Sequence, residues 1–453
     1  MKHNIFPLLL AGLIPFNALA EGEKVTRYVV TFPEGDHVIY QGKFAANFPH
    51  GLPVGIGSGL YFNGKQGDDL LFTTLTDRGP NADAPLAGDK EAKIFANPDF
   101  TPLVMDIKVS AEKAQATNPR ALHDEQGPIN GLPLPDDLIG STNEVALNDA
   151  LQPLKASKRG LDTEGITPDG TGGFWLCDEY GPFLIHIDAQ GKILQKFGPT
   201  PVGAEQSVAT GLPNIIKWRQ PNRGFEGLTR LPNGTLVMAV QSTLDIDNKS
   251  KNKARFTRLV IFNPQTGASR MVGYPINVDS YKKAKDAKIG DIAALDNQRI
   301  LLVEQGADKD HQMQNRIYLV DLSKATDLTP FDADGKSPEF DDRHELEKRG
   351  IRLAQKQELV DLRKLGWQQE KVEGLAIVDK QTLAVINDND FGLRTELKSP
   401  VKAKDKADDY QLGADGKLTR DGEAAGTTLE IVPLQKPESD NELWLIKLAQ
   451  PIQ

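Results

Sequence analysis

A short motif that contains an acidic residue recurs along the chain and constrains the fold more than any other feature. In each copy the acid stands beside a small residue and precedes an apolar segment, a turn and a second apolar segment. Successive acids are 62, 65 and 82 residues apart. A degenerate copy without the acid, Gly57-Ser58-Gly59-Leu60, precedes them. The acidic copies are Thr163-Glu164-Gly165-Ile166, Phe225-Glu226-Gly227-Leu228, Gly290-Asp291-Ile292 and Val372-Glu373-Gly374-Leu375.

The segments that follow each copy have the composition and periodicity of β-strands. The second segments, such as 235–240 and 300–303, are short and rich in β-branched residues, and third segments such as 183–188 alternate apolar and polar residues. Three or four short antiparallel strands per repeat predict an all-β fold, a β-propeller. Five blades are clear. A sixth could be assembled from residues 27–32, 37–42 and 442–448.

Strands from both chain termini would close such a ring and remove an exposed sheet edge. The alternative fold, two packed β-sandwiches, does not explain why an acid recurs at one position. Between the strands lie long inserts, which we expect to be solvated surface loops, with a role as a substrate lid left open. These inserts are residues 80–160, 199–223, 243–256, 305–315, 326–357 and 391–441.

The N-terminus has the pattern of a secretory signal peptide. Lys2 precedes an apolar stretch over residues 5–16, and Ala18-Leu19-Ala20 matches a cleavage site. We therefore expect a signal peptide over residues 1–20 and one propeller domain over residues 21–453, in the periplasm or secreted. A membrane anchor is the alternative. No later segment has about 18 consecutive apolar residues, so no integral membrane segment is expected after cleavage.

Composition narrows the classes of partner. The 453 residues include 53 basic and 63 acidic side chains, a net charge of −10, which excludes nucleic acid as an expected partner. Cys177 is the one cysteine and cannot form an internal disulfide, so the core or bound calcium must stabilise the fold. A small anionic substrate would need local cations.

The recurring acids are the first candidate site. The first strand of a propeller blade lines the central channel, so Glu164, Glu226, Asp291 and Glu373 would converge there. Repulsion among them would be costly unless a cation lies between them or some are protonated. Carboxylate oxygens suit calcium, and these acids are therefore candidate metal ligands. The alternative is that each acid caps backbone N–H groups in its own blade.

The ends of the second strands form a second candidate cluster toward one end of the channel. Asp77, Asp178 and Glu179 are candidate ligands or general bases, and Arg78 offers a planar fork for an anionic group. Asp388 and Asp390 are further candidate metal ligands. Turn formation is the alternative explanation for these polar runs.

Several catalytic motifs are absent from the sequence. It has no G-x-S-x-G nucleophile elbow, no G-x-x-x-x-G-K-[ST] phosphate loop and no H-E-x-x-H zinc motif. The chemistry therefore has to come from the acidic clusters.

Taken together, these segments resemble the phytase-like domain family, also described as "esterase-like activity of phytase". The resemblance extends from about residue 50 to residue 448 and implies an exported bacterial β-propeller that hydrolyses esters or phosphoesters. The matching segments are Thr76-Asp77-Arg78-Gly79-Pro80-Asn81, Asp162-Thr163-Glu164-Gly165, Asp178-Glu179-Tyr180-Gly181-Pro182, Phe225-Glu226-Gly227-Leu228, Glu373-Gly374-Leu375 and Asn387-Asp388-Asn389-Asp390-Phe391-Gly392.

The leading hypothesis is an exported, calcium-dependent hydrolase of a small anionic ester, with phosphoesters favoured. A calcium-dependent lactonase or carboxylesterase, with one axial ion, is the second hypothesis. A non-catalytic propeller that binds a ligand or a partner is the third, because fold alone does not decide between them.

Overall fold

A computed structural model describes residues 22–33, 35, 37–199, 208–331 and 337–453. Within these ranges, five four-stranded blades form a closed ring, in which the inner strand of each blade contacts the inner strands of its two neighbours. The predicted all-β propeller is thereby confirmed. The predicted signal peptide, residues 1–20, lies outside the described residues.

Each blade is an antiparallel sheet whose strands follow one another outward from the channel. Ala209–Thr210 adds a short parallel strand to the outside of blade 2. From inner to outer strand, blade 1 consists of Leu60–Gln66, Asp69–Leu75, Leu103–Val109 and Ala114–Ala121, blade 2 of Thr163–Pro168, Phe174–Asp178, Phe183–Ile187 and Ile193–Gly198, blade 3 of Phe225–Arg230, Leu236–Val240, Phe256–Phe262 and Ser269–Pro275, blade 4 of Lys288–Ala294, Arg299–Ala307, Met313–Asp321 and Gln355–Asp361, and blade 5 of Gly374–Asp379, Thr382–Ile386, Glu442–Lys447 and Lys24–Thr31.

Strands from both ends of the described chain close the ring, as predicted. Lys24–Thr31 is the outer strand of blade 5 and pairs antiparallel with Glu442–Lys447. The last residues of the same strand pair with the outer strand of blade 1, which joins blades 5 and 1 into one continuous sheet. These terminal strands complete blade 5 and do not build a sixth blade. Between residues 37 and 42 only Val38 makes a β-bridge, to Leu52.

Apolar faces of neighbouring blades pack against each other and form the core. Between blades 2 and 3, for example, Trp175, Cys177, Phe225 and Met238 belong to one buried cluster. Cys177 is fully buried, and burial raises the pKa of its thiol well above the ordinary value. This packing orients the strand ends of all blades toward one rim of the channel.

Two of the predicted surface inserts carry sheets of their own. Asn81–Asp83, Ala92–Phe95 and Val145–Leu147 form one sheet, and Leu393–Lys398 pairs with Thr428–Pro433. The remaining elements are the strands His123–Asp124, Gly127–Pro128, Gln411–Leu412, Leu418–Arg420 and Glu423–Ala424, the α-helix Arg343–Lys348, and the 3₁₀ turns Ala45–Asn47, Asn214–Trp218, Ile246–Asn248, Ala284–Asp286, Pro338–Phe340, Asp390–Gly392 and Ala407–Asp409. Among the described residues, no helix has the length and apolar character needed to cross a membrane.

Candidate active site

A polar cavity of about 1090 Å³ lies over one end of the channel. Its floor is formed by the starts of the inner strands and the ends of the second strands, and the insert strand Leu393–Lys398 with the loop after it forms part of the wall. On this floor carboxylates outnumber cations. The carboxylates are Asp77, Asp162, Glu164, Glu179, Glu226, Glu373, Asp388 and Asp390, beside Arg78, Lys288 and Lys371.

Three glutamates from different blades meet at the channel axis, and we call them the axial group. One carboxylate oxygen of each of Glu164, Glu226 and Glu373 lies within 4.8 Å of the other two. The side chains are buried, and Oε2 of Glu164 has no hydrogen-bond partner in the part of the chain that the structure describes. Gln241 Nε2 donates to Glu226 Oε2 at 2.8 Å and to Glu179 Oε1 at 2.7 Å.

Local irregularity of the inner strands brings these acids to the cavity. The ladder of blade 2 skips between Glu164 and Ile166, and that of blade 3 skips between Phe225 and Gly227. Such bulges turn a side chain out of the regular alternation of a strand. The glycine after each glutamate lies against the next blade: a Cβ on Gly227 would come within 2.9 Å of the Ile292 nitrogen.

A second group of carboxylates adjoins the axial group and shares Glu164 with it. Asp162, Glu164 and Glu179 each place one oxygen within 4.8 Å of the others. A third group, Asp77, Asp388 and Asp390, meets the same criterion. Lys371 Nζ lies beside this third group, 2.9 Å from Asp390 Oδ1 and 3.5 Å from Asp388 Oδ2.

The guanidinium of Arg78 is engaged by the protein itself. Its Nη1 lies 3.1 Å from Glu144 Oε1 and 3.3 Å from the Tyr180 hydroxyl, and its Nε lies 3.6 Å from Asp162 Oδ2. The Arg78 backbone N–H also donates to Asp162 Oδ1 at 3.1 Å. Arg78 therefore holds Asp162 in place on the floor.

Asp291 lies in the channel but apart from the three groups. Its carboxylate accepts the N–H of Ile292 at 2.7 Å and that of Leu375 in blade 5 at 2.8 Å, and the N–H groups of Leu60 and Leu228 also interact with it. Asp291 thus caps inner-strand backbone from several blades.

Asp178 is fully buried behind the cavity floor and does not line the cavity. Its carboxylate accepts the N–H of Asp162 at 2.7 Å and that of Gly181 at 2.8 Å. This is the turn-forming arrangement that the sequence left open as the alternative. Glu179, the next residue, does line the cavity.

Electrostatics on the floor favour a bound cation. Burial raises the pKa values of Glu164, Glu179 and Glu226 well above their ordinary range, and neighbouring carboxylates raise them further. Burial also raises the pKa of Asp388, to about 7, although Lys371 opposes the shift. Conversely, burial lowers the pKa of the Lys288 ammonium. A divalent cation at the axial group would relieve the repulsion between these carboxylates.

The structure adds four residues that sequence reasoning did not select as site residues. Asp162 directly precedes a motif copy, Gln241 ends a second strand, Lys288 begins an inner strand, and Lys371 stands two residues before Glu373. Their positions relative to the motif were a usable signal for Asp162 and Lys371, because flanking residues of a convergent strand start also face the channel. Gln241 and Lys288 lacked such a signal.

Comparison with solved structures finds chains that align over most of this sequence with low TM-scores. The α-L-arabinofuranosidase from Podospora anserina is 8% identical, with coverage of 94% of this chain and 98% of that chain, at a TM-score of 0.35. The WD40 domain of Toxoplasma gondii coronin is 9% identical, with coverage of 95% and 87%, at a TM-score of 0.31.

A curated relative is an uncharacterized secreted protein from Arthroderma benhamiae. It is 33% identical over 113 residues, a match that spans 21% of this chain and only 22% of the fungal protein.

The family model described as "Phytase-like: Esterase-like activity of phytase" matches residues 53–391. The match covers the inner strands of all five blades and every carboxylate of the cavity floor. The chain therefore belongs to the phytase-like family.

Proposed function

We propose that this protein is an exported, metal-dependent hydrolase of ester bonds, with calcium as the ion and phosphoesters as the favoured substrates. The observation that carries the proposal is the unpartnered Oε2 of Glu164, buried where three glutamates converge beneath a large polar cavity. A buried carboxylate oxygen without a partner is costly, and a cation would satisfy it.

The donor set fits a hard cation. The axial group offers oxygen ligands alone, and Asp162 and Glu179 adjoin it, whereas soft or imidazole ligands are absent from the acid groups found among the described residues. When bound, calcium would polarise an ester oxygen and balance charge that develops on it.

The cations of the floor would bind the anionic part of the substrate. Lys371 is 30% exposed and reaches the cavity, and Lys288 also lines it. Arg78, which the sequence suggested for this task, is already hydrogen-bonded to the protein, so we assign it a positioning role toward Asp162.

Asp77 and Asp388 are the proposed proton-transfer pair. Both line the cavity, and each raises or feels the charge of its neighbours in one acid group. Burial and the proximity of Asp388 raise the pKa of Asp77 well above its ordinary value. Two carboxylates that share a site hold one proton between them, so one can accept a proton from an attacking water.

The family description supports ester chemistry, and the secreted relative supports export. A calcium-dependent lactonase or carboxylesterase is the second candidate. It is favoured by one specific observation, namely that the axial group converges on a single position, as a site for one axial ion requires.

The test is hydrolysis of p-nitrophenyl phosphate, bis-p-nitrophenyl phosphate, p-nitrophenyl acetate and a δ-lactone, each with calcium and with EDTA. Wild type is compared with Glu164→Gln and with the control Asp169→Asn, an acid of the same blade that lies outside the cavity. We expect calcium-dependent turnover that Glu164→Gln reduces at least 100-fold and the control retains.

The preferred substrate in this panel separates the two enzyme candidates. Calcium should also stabilise wild type, by about 2.7 kcal/mol when its concentration is 100-fold above the dissociation constant. Stabilisation without turnover of any ester would contradict the enzyme proposal and favour a binding propeller.

A further inference from the structure

The acid groups on the cavity floor differ in whether the chain supplies a cation to them. The axial group has an unpartnered oxygen on Glu164, and its only listed side-chain donor is the amide of Gln241. The neighbouring Asp388 and Asp390, in contrast, share the ammonium of Lys371.

Lys371 stands between the two groups. Its Nζ lies 2.9 Å from Asp390 Oδ1, 3.5 Å from Asp388 Oδ2 and 3.5 Å from Glu373 Oε2. Glu373 is itself a member of the axial group. One ammonium therefore contacts three carboxylates, two of them beside the axial position and one within the axial group.

The backbone on both sides of Lys371 is fixed. The Glu370 carbonyl accepts from Asn315 Nδ2 at 3.0 Å, and the Val372 N–H donates to Gln305 Oε1 at 2.8 Å. Asn315 and Gln305 are buried and hydrogen-bonded to each other at 2.9 Å. The ammonium is thus presented to the carboxylates by a pre-organised segment of the chain.

An ammonium and a divalent ion cannot occupy the same position, and both satisfy carboxylate oxygens. We propose that Lys371 is a built-in second cation of the site: it fills the position that a second metal ion would otherwise take between Glu373, Asp388 and Asp390, and so limits the cavity floor to one divalent ion at the axial group. This inference rests on the proposed metal-dependent function.

The inference has a consequence for substrate binding. With one divalent ion at the axis and a fixed ammonium beside it, the floor presents two unlike cations to a ligand. A substrate with one anionic group could contact both, through a metal–oxygen contact and a charge-assisted hydrogen bond from Lys371.

The test counts bound calcium by equilibrium dialysis of the mature chain followed by atomic emission. We expect one calcium per chain for wild type, one for Lys371→Arg and two for Lys371→Met, because methionine fills similar space without a charge. The matched control is Lys356→Met, which breaks a buried pair of 2.6 Å with Glu304, a single carboxylate away from the cavity. It should bind one calcium.

The outcomes separate the inference from the function it rests on. Wild type with no bound calcium would overturn the metal proposal and the inference with it. Wild type with two ions, or Lys371→Met with one or none, would overturn the inference alone. If Lys371→Met fails to fold, as judged by circular dichroism, the counts for wild type and Lys371→Arg still decide: two ions in either refute the inference.

Discussion

Asp291 and the three axial glutamates start from the same repeat motif and end in different parts of the channel. The glutamates lie on the cavity floor, where one oxygen is unpartnered, whereas the Asp291 carboxylate is filled by backbone N–H groups. The ladders explain the difference. Ile166, Leu228 and Ile292 each begin the regular pairing after a bulge, so Asp291 occupies the position of Gly165 and Gly227.

A shift of one residue thus changes the role of the acid. Glycines at this position in the other blades leave no side chain in the narrow channel, and the single aspartate fills the space that they leave. Its short side chain reaches the N–H groups of residues that follow those glycines, such as Leu375. The comparison teaches that an acid of the motif binds the fold together from one position and faces the cavity from the position before it.

The largest effect is expected for Asp291→Ala, which would leave at least two buried N–H groups without an acceptor. We expect the free energy of unfolding to fall by about 3 kcal/mol, measured by urea denaturation in EDTA. Glu164→Gln is the matched comparison and should lose no stability in EDTA, because it removes repulsion. Equal losses in the two variants would erase the distinction between cap and ligand.

A smaller effect is expected for Gly227→Ala, which tests how closely the blades approach at the channel. The new Cβ would lie 2.9 Å from the Ile292 nitrogen and 3.1 Å from the Asp291 backbone. We expect a loss of about 2 kcal/mol from overpacking, again in urea. Gly426→Ala is the control, since no atom lies within 4 Å of its Cβ. A neutral Gly227→Ala would show that the ring can widen.

The smallest effect is expected for an acid outside the channel. Asp169 accepts hydrogen bonds from His186, Thr171 and Gly173 in a turn of blade 2, and these outweigh burial and lower its pKa from 3.8 to about 2. Because the folded pKa lies below the unfolded one, its stabilisation is complete above about pH 4 and is lost as the pH falls toward 2.

Partial exposure to solvent reduces this stabilisation to about 1 kcal/mol. The stability difference between wild type and Asp169→Asn, followed by urea unfolding from pH 6 to pH 2, should therefore vanish at the acid end. A difference that grows on acidification would contradict this sign. The channel acids, with raised pKa values, should show no such pattern in EDTA.

The sequence was sufficient for the features that repeat. Alternation and turn residues predicted the strands, and the recurrence of Glu-Gly before them predicted that acids from different blades would converge. Closure by strands from both termini was also predictable, because an open ring would expose a sheet edge. The family resemblance rested on the same repeated segments and is confirmed over residues 53–391.

Tertiary structure alone decided which polar residues share the cavity. Asp178 and Glu179 are adjacent in sequence, yet the first is buried behind the floor and the second lines the cavity, because strand residues alternate between faces. Lys371 and Asp390 meet only because blade 5 folds back on itself. The sequence determined that acids converge in a propeller channel; register and packing determined which of them hold the fold and which face a cation, because a side chain's partners are set by distances that a one-dimensional pattern does not contain.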